Sequence, residues 1–352
     1  MSEAKQNEIY LSSSPHFSAK MKTQYIMATV LFATLPECIY GVMLYGVQAL
    51  VTILVAVASA VGFEALFQLV TKKKLRVYDL SAAVTGVLFA LVLPPAIPVW
   101  MTVLGAAVAV VVGKGLFGGL GQNTFNPALT GRGFLVISFA GVMGASWITP
   151  ANSTVDAVSS ATVLSSVKSG TFAATNDNLW QLFTGNQAGC IGETSALLLL
   201  ISFFFLFISH IIDWRAPVAM VSTVALGTFI ASLVQGQDAM QAATAVAVAL
   251  CTGGVMFGAT FMVTDYATTP VTKPGRLVFG FGCGLITFLI RQFGGYPEGV
   301  MFSILIMNAV APFLNKLTVR KYGYGKKATR RAQPKHLVQE FNVAQAKTEE
   351  SK

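Results

Sequence analysis

The sequence is short of charge, cysteine and histidine. Only 11% of its 352 residues are Asp, Glu, Lys or Arg, against about a quarter in an ordinary soluble domain, which argues against a water-soluble globular enzyme. Four cysteines, at positions 38, 190, 251 and 283, are too few and too scattered for a disulfide framework. Three histidines, His16, His210 and His336, stand beside no second Cys or His at a ligand-like offset, so no metal site is expected. What fills the chain instead is apolar: 54% hydrophobic residues, 25 Phe and a mean hydropathy of +0.65 rule out a disordered polar chain.

A bilayer core about 30 Å thick takes roughly 20 apolar residues per helix. Ten stretches approach that length, at 24–45, 47–70, 80–93, 99–116, 134–148, 195–212, 216–234, 239–263, 277–293 and 299–314. The third and fifth are short, and Pro94-Pro95 closes the third, which predicts a half-spanning helix whose free backbone groups are covered by neighbouring protein. Lys and Arg collect on one side. With the N-terminus inside, the inner segments hold Lys5, Lys20 and Lys22, then Lys72, Lys73, Lys74 and Arg76, then Lys114 and Arg132, then Arg215, then Lys273 and Arg276. Only Lys168 falls clearly outside, and Arg291 lies near the outer end of the ninth stretch. After Leu314 the tail carries ten Lys or Arg against three acids, which suits contact with an inner leaflet or a partner subunit.

Two stretches about 140 residues apart echo each other. One reads Phe117-Gly118-Gly119, then Asn126-Pro127, Thr130, Gly131 and Arg132; the other reads Phe257-Gly258-Ala259, then Thr269-Pro270, Thr272, Gly275 and Arg276. Five apolar stretches precede the one long polar segment, 149–194, and five follow it, so the echo predicts two five-helix halves of inverted topology. Gly, Pro, Asn and Thr at these places predict helices interrupted inside the protein, with backbone groups facing a ligand or ion. Gly113-Lys114-Gly115-Leu116-Phe117-Gly118 fits a dinucleotide-binding pattern, but it ends an apolar stretch with no βαβ unit around it, so it reads as close helix packing.

The polar segment contains Asp156-Ala157-Val158-Ser159-Ser160-Ala161-Thr162. Small residues leave the Thr162 hydroxyl open to esterification by a phosphate, while composition alone suits a solvated linker equally. This run resembles the D-x-x-(S/T)-G-A-T motif on which a flavin transferase attaches FMN through a phosphoester to the final Thr, in the NqrB and RnfD families of membrane redox complexes. Residues 118–128, GGLGQNTFNPA, and 261–265, FMVTD, resemble blocks of the same families, and the resemblance extends from about residue 20 to residue 316. Ser160 stands where those families usually have Gly. The length and short polar N-terminus are closer to RnfD than to the longer NqrB.

The resemblance implies an all-α integral membrane subunit of an Rnf-type ion-translocating ferredoxin:NAD oxidoreductase, with about ten transmembrane helices in a urea-transporter-like core. Its two inverted five-helix repeats would be 24–148 and 195–315, flanked by a cytoplasmic segment 1–23 and a basic cytoplasmic tail 316–352, in a bacterial inner membrane. Thr162 in the extracytoplasmic segment 149–194 would carry covalent FMN, with Asp156, Ser159, Ser160 and Ala161 as the recognition motif. Electrons would pass to or from the FMN of an RnfG-like partner, with ferredoxin and NAD handled by other Rnf-type subunits, and a noncovalent riboflavin is a further expectation. Nucleic acid is not an expected partner.

The rival reading is a small-solute permease or channel, since inverted repeats with interrupted helices also build pores; a flavin on Thr162 separates the two. Acids at membrane depth usually line a water-filled path or pair with a cation. Glu64, Asp265, Glu37 and Glu298 are therefore the ion-path candidates. Glu64 stands out because no basic residue adjoins it in sequence, whereas Lys273 and Arg276 lie close to Asp265, and Glu298 reads equally as interfacial.

Overall fold

A computed structural model describes residues 22–148, 163–168, 176–296 and 298–318. Among these residues the chain is helical, with no strand. The first half runs α1 Thr23–Tyr45, α2 Val47–Val70, α3 Ser81–Leu91, α4 Val99–Ala107 continued by a π-helical stretch Val108–Gly115, α5 Pro127–Ser138 and α6 Ala140–Ala145. Two short helices follow, α7 Val163–Lys168 and α8 Asn176–Thr184. The second half runs α9 Ala196–Ile208, α10 Arg215–Val234, α11 Ala239–Cys251, α12 Val255–Phe257 continued by a π-helical stretch Gly258–Met262, α13 Lys273–Phe293 and α14 Val300–Thr318.

Five of these helices, α1, α2, α10, α13 and α14, are long and apolar enough to cross a bilayer, and a sixth crossing forms if α11 and α12 count as one span bent by 63°. The remaining expected spans are short apolar helices, α3, α9 and the α4 unit. The fifth starts earlier than its apolar run: Asn126 caps α5 by accepting from the Leu129 N–H, and Pro127 takes the first helical position, where its missing N–H is harmless.

Packing follows membrane rules, with small residues inward. Helix α2 buries Ala49, Thr52, Ile53, Ala56, Ala60 and Glu64 along one face and turns Leu50, Leu54, Leu66 and Leu69 outward. Gly280 and Gly284, one turn apart on α13, lie against the backbone of α10 at Ala216 and Met220, where a methyl at Gly284 would meet the Met220 carbonyl at 2.6 Å. Phe89, Met101, Met220, Phe257, Met262, Phe279 and Ile304 fill the centre.

Past α3 the chain runs through turns, and the backbone of Ile191 and Gly192 donates to Leu93 and Leu91 at 3.1 and 2.8 Å, so the segment before α9 closes the open end of α3. The second half contains a broken crossing, between α11 and α12 at Gly253 and Gly254, whose φ angles of +53° and +40° are ones an L side chain rarely adopts. Each half also repeats one local sequence of events: a π-helical stretch, a loop, then a helix capped by Asn126 or Thr272 with proline in its first turn.

Candidate functional site

Charges in the interior gather into two clusters at opposite ends of the bundle. The first lies at the end carrying Lys72, Lys73, Lys74 and Arg76. Lys114, in the last turn of the α4 unit, donates to both carboxylate oxygens of Glu64 on α2 at 2.8 Å and to Ser81 Oγ at 2.6 Å. Both charged residues are buried. Gln68 holds Glu64 from its other side at 3.2 Å, and Ser81 hydrogen-bonds Asp79 at 2.6 Å. All three hydrogens of the ammonium are used, which is the condition under which a buried ion pair is tolerable. The pair forms the floor of a polar cavity of about 660 Å³ lined also by Lys73, Lys74, Arg76 and Asp79.

The second cluster lies at the end reached by the connections before α9 and before α14. Arg132 of α5 donates through Nη1 to Glu193 and Glu298, each at 3.2 Å, and through Nη2 to Glu298 Oε2 at 2.5 Å and Cys190 Sγ at 3.4 Å. Its Nε has no partner among the described residues. Beside it Arg291 of α13 holds the frayed end of α11, donating to the carbonyls of Ala249 at 2.7 Å and Thr252 at 3.0 Å and to that of Gly253. A helix C-terminus carries partial negative charge and unpaired carbonyls, so a fixed guanidinium satisfies both. Gln187 bridges the carbonyls of Thr194 and Cys251 at 3.0 Å, and Tyr45 of α1 holds the Gln187 carbonyl at 3.0 Å.

Two acids stand apart from any ion pair among the described residues. Glu37 of α1 faces Ser202 of α9 at 3.0 Å, and the Ser202 hydroxyl also lies 2.8 Å from the Ala33 carbonyl. Asp265, in the loop after α12, is held by Thr268 Oγ1 at 3.0 Å and the Ala267 N–H at 3.4 Å. Lys273 and Arg276, close to it in sequence, do not pair with it: Arg276 goes to Asp213 at 2.8 Å, as does Arg215. At Asp213, outside the helices, partial burial raises the pKa, but the Arg215 N–H and the two guanidinium groups outweigh it and hold the carboxyl below its usual range.

Of the ion-path candidates, Glu64 therefore has a partner fifty residues away in sequence, and Glu298, partly exposed at the end of the bundle, pairs with the buried Arg132. Lys114 and Arg132, read from sequence as loop cations, are both buried. Glu193 and Arg132 are site residues that the sequence reading passed over; an arginine two turns into an apolar helix was the available signal. Asp156, Ser159, Ser160, Ala161 and Thr162 lie outside the described residues. The next residue, Val163, lines a small cavity together with Glu193, Glu298, Cys190 and Trp147.

A third cavity, of about 100 Å³, lies where the halves meet. Its walls are largely apolar, including Ile26, Val84, Leu206 and Phe261, and its polar groups are few: Lys114, Asn123, Asn126 and Asp265 among them.

A family model described as the NQR2, RnfD, RnfE family matches residues 10–323. The D subunit of the Na+-translocating ferredoxin:NAD+ oxidoreductase complex of Acetobacterium woodii is 43% identical over 325 residues, covering 91% of this chain and 98% of that protein. The D subunit of the proton-translocating ferredoxin:NAD+ oxidoreductase complex of Clostridium ljungdahlii is 38% identical over 331 residues, covering 90% and 97%. The D subunit of an ion-translocating oxidoreductase complex of Stutzerimonas stutzeri is 36% identical over 340 residues, covering 86% and 92%. Matched from end to end of its helical body, the chain belongs to the NQR2, RnfD, RnfE family.

Proposed function

We propose that this chain is the RnfD-type subunit of an Rnf-type ferredoxin:NAD oxidoreductase, a membrane component through which electron transfer drives Na+ or H+ across a bacterial inner membrane. The observation that carries the reading is likeness along most of the chain to proteins named as the D subunit of such complexes. Buried paired acids, Glu64 on α2 and Glu193 and Glu298 beside the break between α11 and α12, support it, because irregular backbone at membrane depth survives only inside protein or against a water-filled space. The fold we assign is a ten-span, urea-transporter-like body of two inverted repeats, the short helices serving as half-crossings. Both termini and the Lys72–Arg76 loop face the cytoplasm, and the segment holding Thr162 faces outward.

Thr162 is assigned as the residue bearing FMN, within the motif formed by Asp156, Ser159, Ser160 and Ala161, where an RnfG-like partner meets it. Bound flavin supplies one- and two-electron transfer; the protein sets its distance and surroundings. A second, noncovalent flavin such as riboflavin is assigned to the apolar-lined space between the halves, where Asn123, Asn126 and Asp265 would meet its polar edge; at about 100 Å³ that space has to widen to admit the ring. For the ion, Glu64 at the floor of the polar cavity receives it from the cytoplasmic side, and Asp265, Glu37 and Glu298 are the further carboxylates of the path.

Thr162→Ala tests the flavin assignment. In-gel fluorescence of the denatured protein should vanish while the protein still inserts, and mass spectrometry of the wild-type peptide should show the flavin phosphate on Thr162. Fluorescence that persists unchanged in the variant, or an unmodified wild-type peptide, defeats it.

A further inference from the structure

The cluster around Arg132 is built from three separate pieces of chain. Arg132 comes from α5 in the first half, Glu193 from the connection before α9, and Glu298 from the connection before α14. One guanidinium spans both carboxylates; the Glu193 segment is also held to α3 through the Ile191 and Gly192 N–H groups, so what Arg132 adds is the charged link between Glu193 and Glu298. Directly against the two acids lies the break in the α11–α12 crossing: a methyl added at Gly254 would meet Glu298 Oε1 at 2.6 Å and Glu193 Oε1 at 2.8 Å, so backbone and carboxylates leave no gap there. On the other side sits α7, and its Leu164 side chain covers Gly253, where an added methyl would be 2.6 Å from Leu164 Cδ2. The cavity left between α7 and the cluster is only about 60 Å³.

The cluster is closed, yet its hydrogen bonding is incomplete. Lys114 at the other end of the bundle uses every donor it has, whereas among the described residues Arg132 Nε and Arg291 Nε are buried without acceptors. A partly satisfied buried network is the kind that a small displacement can rearrange, because the rearranged state has less to lose. Its cover, α7, begins at the residue after Thr162.

We propose that Arg132 is the latch of a gate at the flavin-bearing end of the protein, closing that end to small cations while it bridges Glu193 and Glu298, with Leu164 of α7 as the plug above it. This rests on the functional reading above for its role in transport, since α7 then ties the flavin segment mechanically to the gate. The latch itself makes no use of the cofactor. Withdrawal of the guanidinium breaks the charged link between the two connections and frees both carboxylates together, while the Ile191 and Gly192 bonds to α3 stay in place.

Cys190 is a built-in reporter, because it is buried, accepts from Arg132 and lines the cavity under α7. In the assembled complex in sealed vesicles, with Cys38, Cys251 and Cys283 replaced by Ala, a small membrane-impermeant cationic methanethiosulfonate added from the outer side should label Cys190 slowly. Arg132→Gln should speed labelling by about tenfold or more and raise passive Na+ or H+ leak by a similar factor without any electron donor, as expected when a largely closed equilibrium is released. Leu164→Ala removes the plug without touching an ion pair and should raise labelling by a factor of about three on the same argument. If Arg132→Gln fails to insert, Leu164→Ala and Glu298→Gln carry the test. Wild-type labelling and leak in inserted variants overturn the latch. Because both readouts run without electron donor, their failure is distinct from failure of the flavin assignment, which Thr162→Ala reads separately.

Discussion

The two buried clusters combine the same ingredients, a cation on a membrane helix and carboxylates it must neutralise, and they differ in where the partners come from. Lys114, Glu64 and Ser81 all belong to the first half, and the ammonium is saturated by two carboxylate oxygens and a hydroxyl. Arg132 reaches out to Glu193 in the connection before α9 and to Glu298 in the second half, and among the described residues it leaves one donor unused. The first arrangement fixes α2, α3 and the α4 unit into one body. The second joins that body to chain segments that belong to the other half. A buried charge pair is thus a brace when its elements already pack together and a contact that can open when they do not.

The sharpest way to break this comparison is functional. Glu64→Gln in the assembled complex should keep its flavin and lose ion-coupled turnover; turnover and pumping at wild-type levels would remove Glu64 from the path and leave its cluster purely a brace.

Stability should separate the clusters next. Lys114→Met strands Glu64 in the interior and should cost about 3–5 kcal/mol, the range for one partner removed from a buried pair. The double variant Lys114→Met/Glu64→Gln should recover more than half of that, because no unpaired charge is left. Thermal aggregation of the detergent-solubilised protein measures both, and equal losses in single and double variants would mean the pair is not coupled. Glu298→Gln should cost less, about 1–3 kcal/mol, since Arg132 keeps Glu193 and the amide oxygen of Gln can still accept one of the two bonds that Glu298 took. If its loss matched that of Lys114→Met, the contrast between brace and openable contact would fail.

The smallest effect belongs outside the helices. Asp213 is held below its usual pKa by Arg215 and Arg276, so its contribution is full above the ordinary carboxylate pKa and is lost as pH falls through the lower folded value. Asp213→Asn should cost about 0–1 kcal/mol at neutral pH and flatten the acid limb of the stability profile; an unchanged acid limb would show that Asp213 does not titrate on folding.

Much of the helical body was legible in advance. The stretches 47–70 and 24–45 appear as α2 and α1 with ends moved by at most one residue, because uninterrupted apolar runs of that length have one inexpensive solution in a bilayer. The fifth stretch was misplaced because Thr130 and Arg132 interrupt its apolar pattern, although Asn126-Pro127 marked the true start. The stretch 239–263 hid a break whose only trace was Gly253-Gly254. At the site, the four acids were visible by their rarity in apolar surroundings. Their partners were not: Glu64 and Lys114 are fifty residues apart, and Arg132 and Glu298 are 166 apart.

The sequence by itself determined that this chain is a helical membrane protein, since composition and apolar run length decide how backbone groups can be satisfied in hydrocarbon, and its motifs pointed to its family. Only the tertiary structure decided which charges are braces, which bridge the halves and which stand without a cation. Partnership in a low-dielectric interior depends on distances of a few ångströms between elements remote in the chain, and local sequence pattern does not encode those distances.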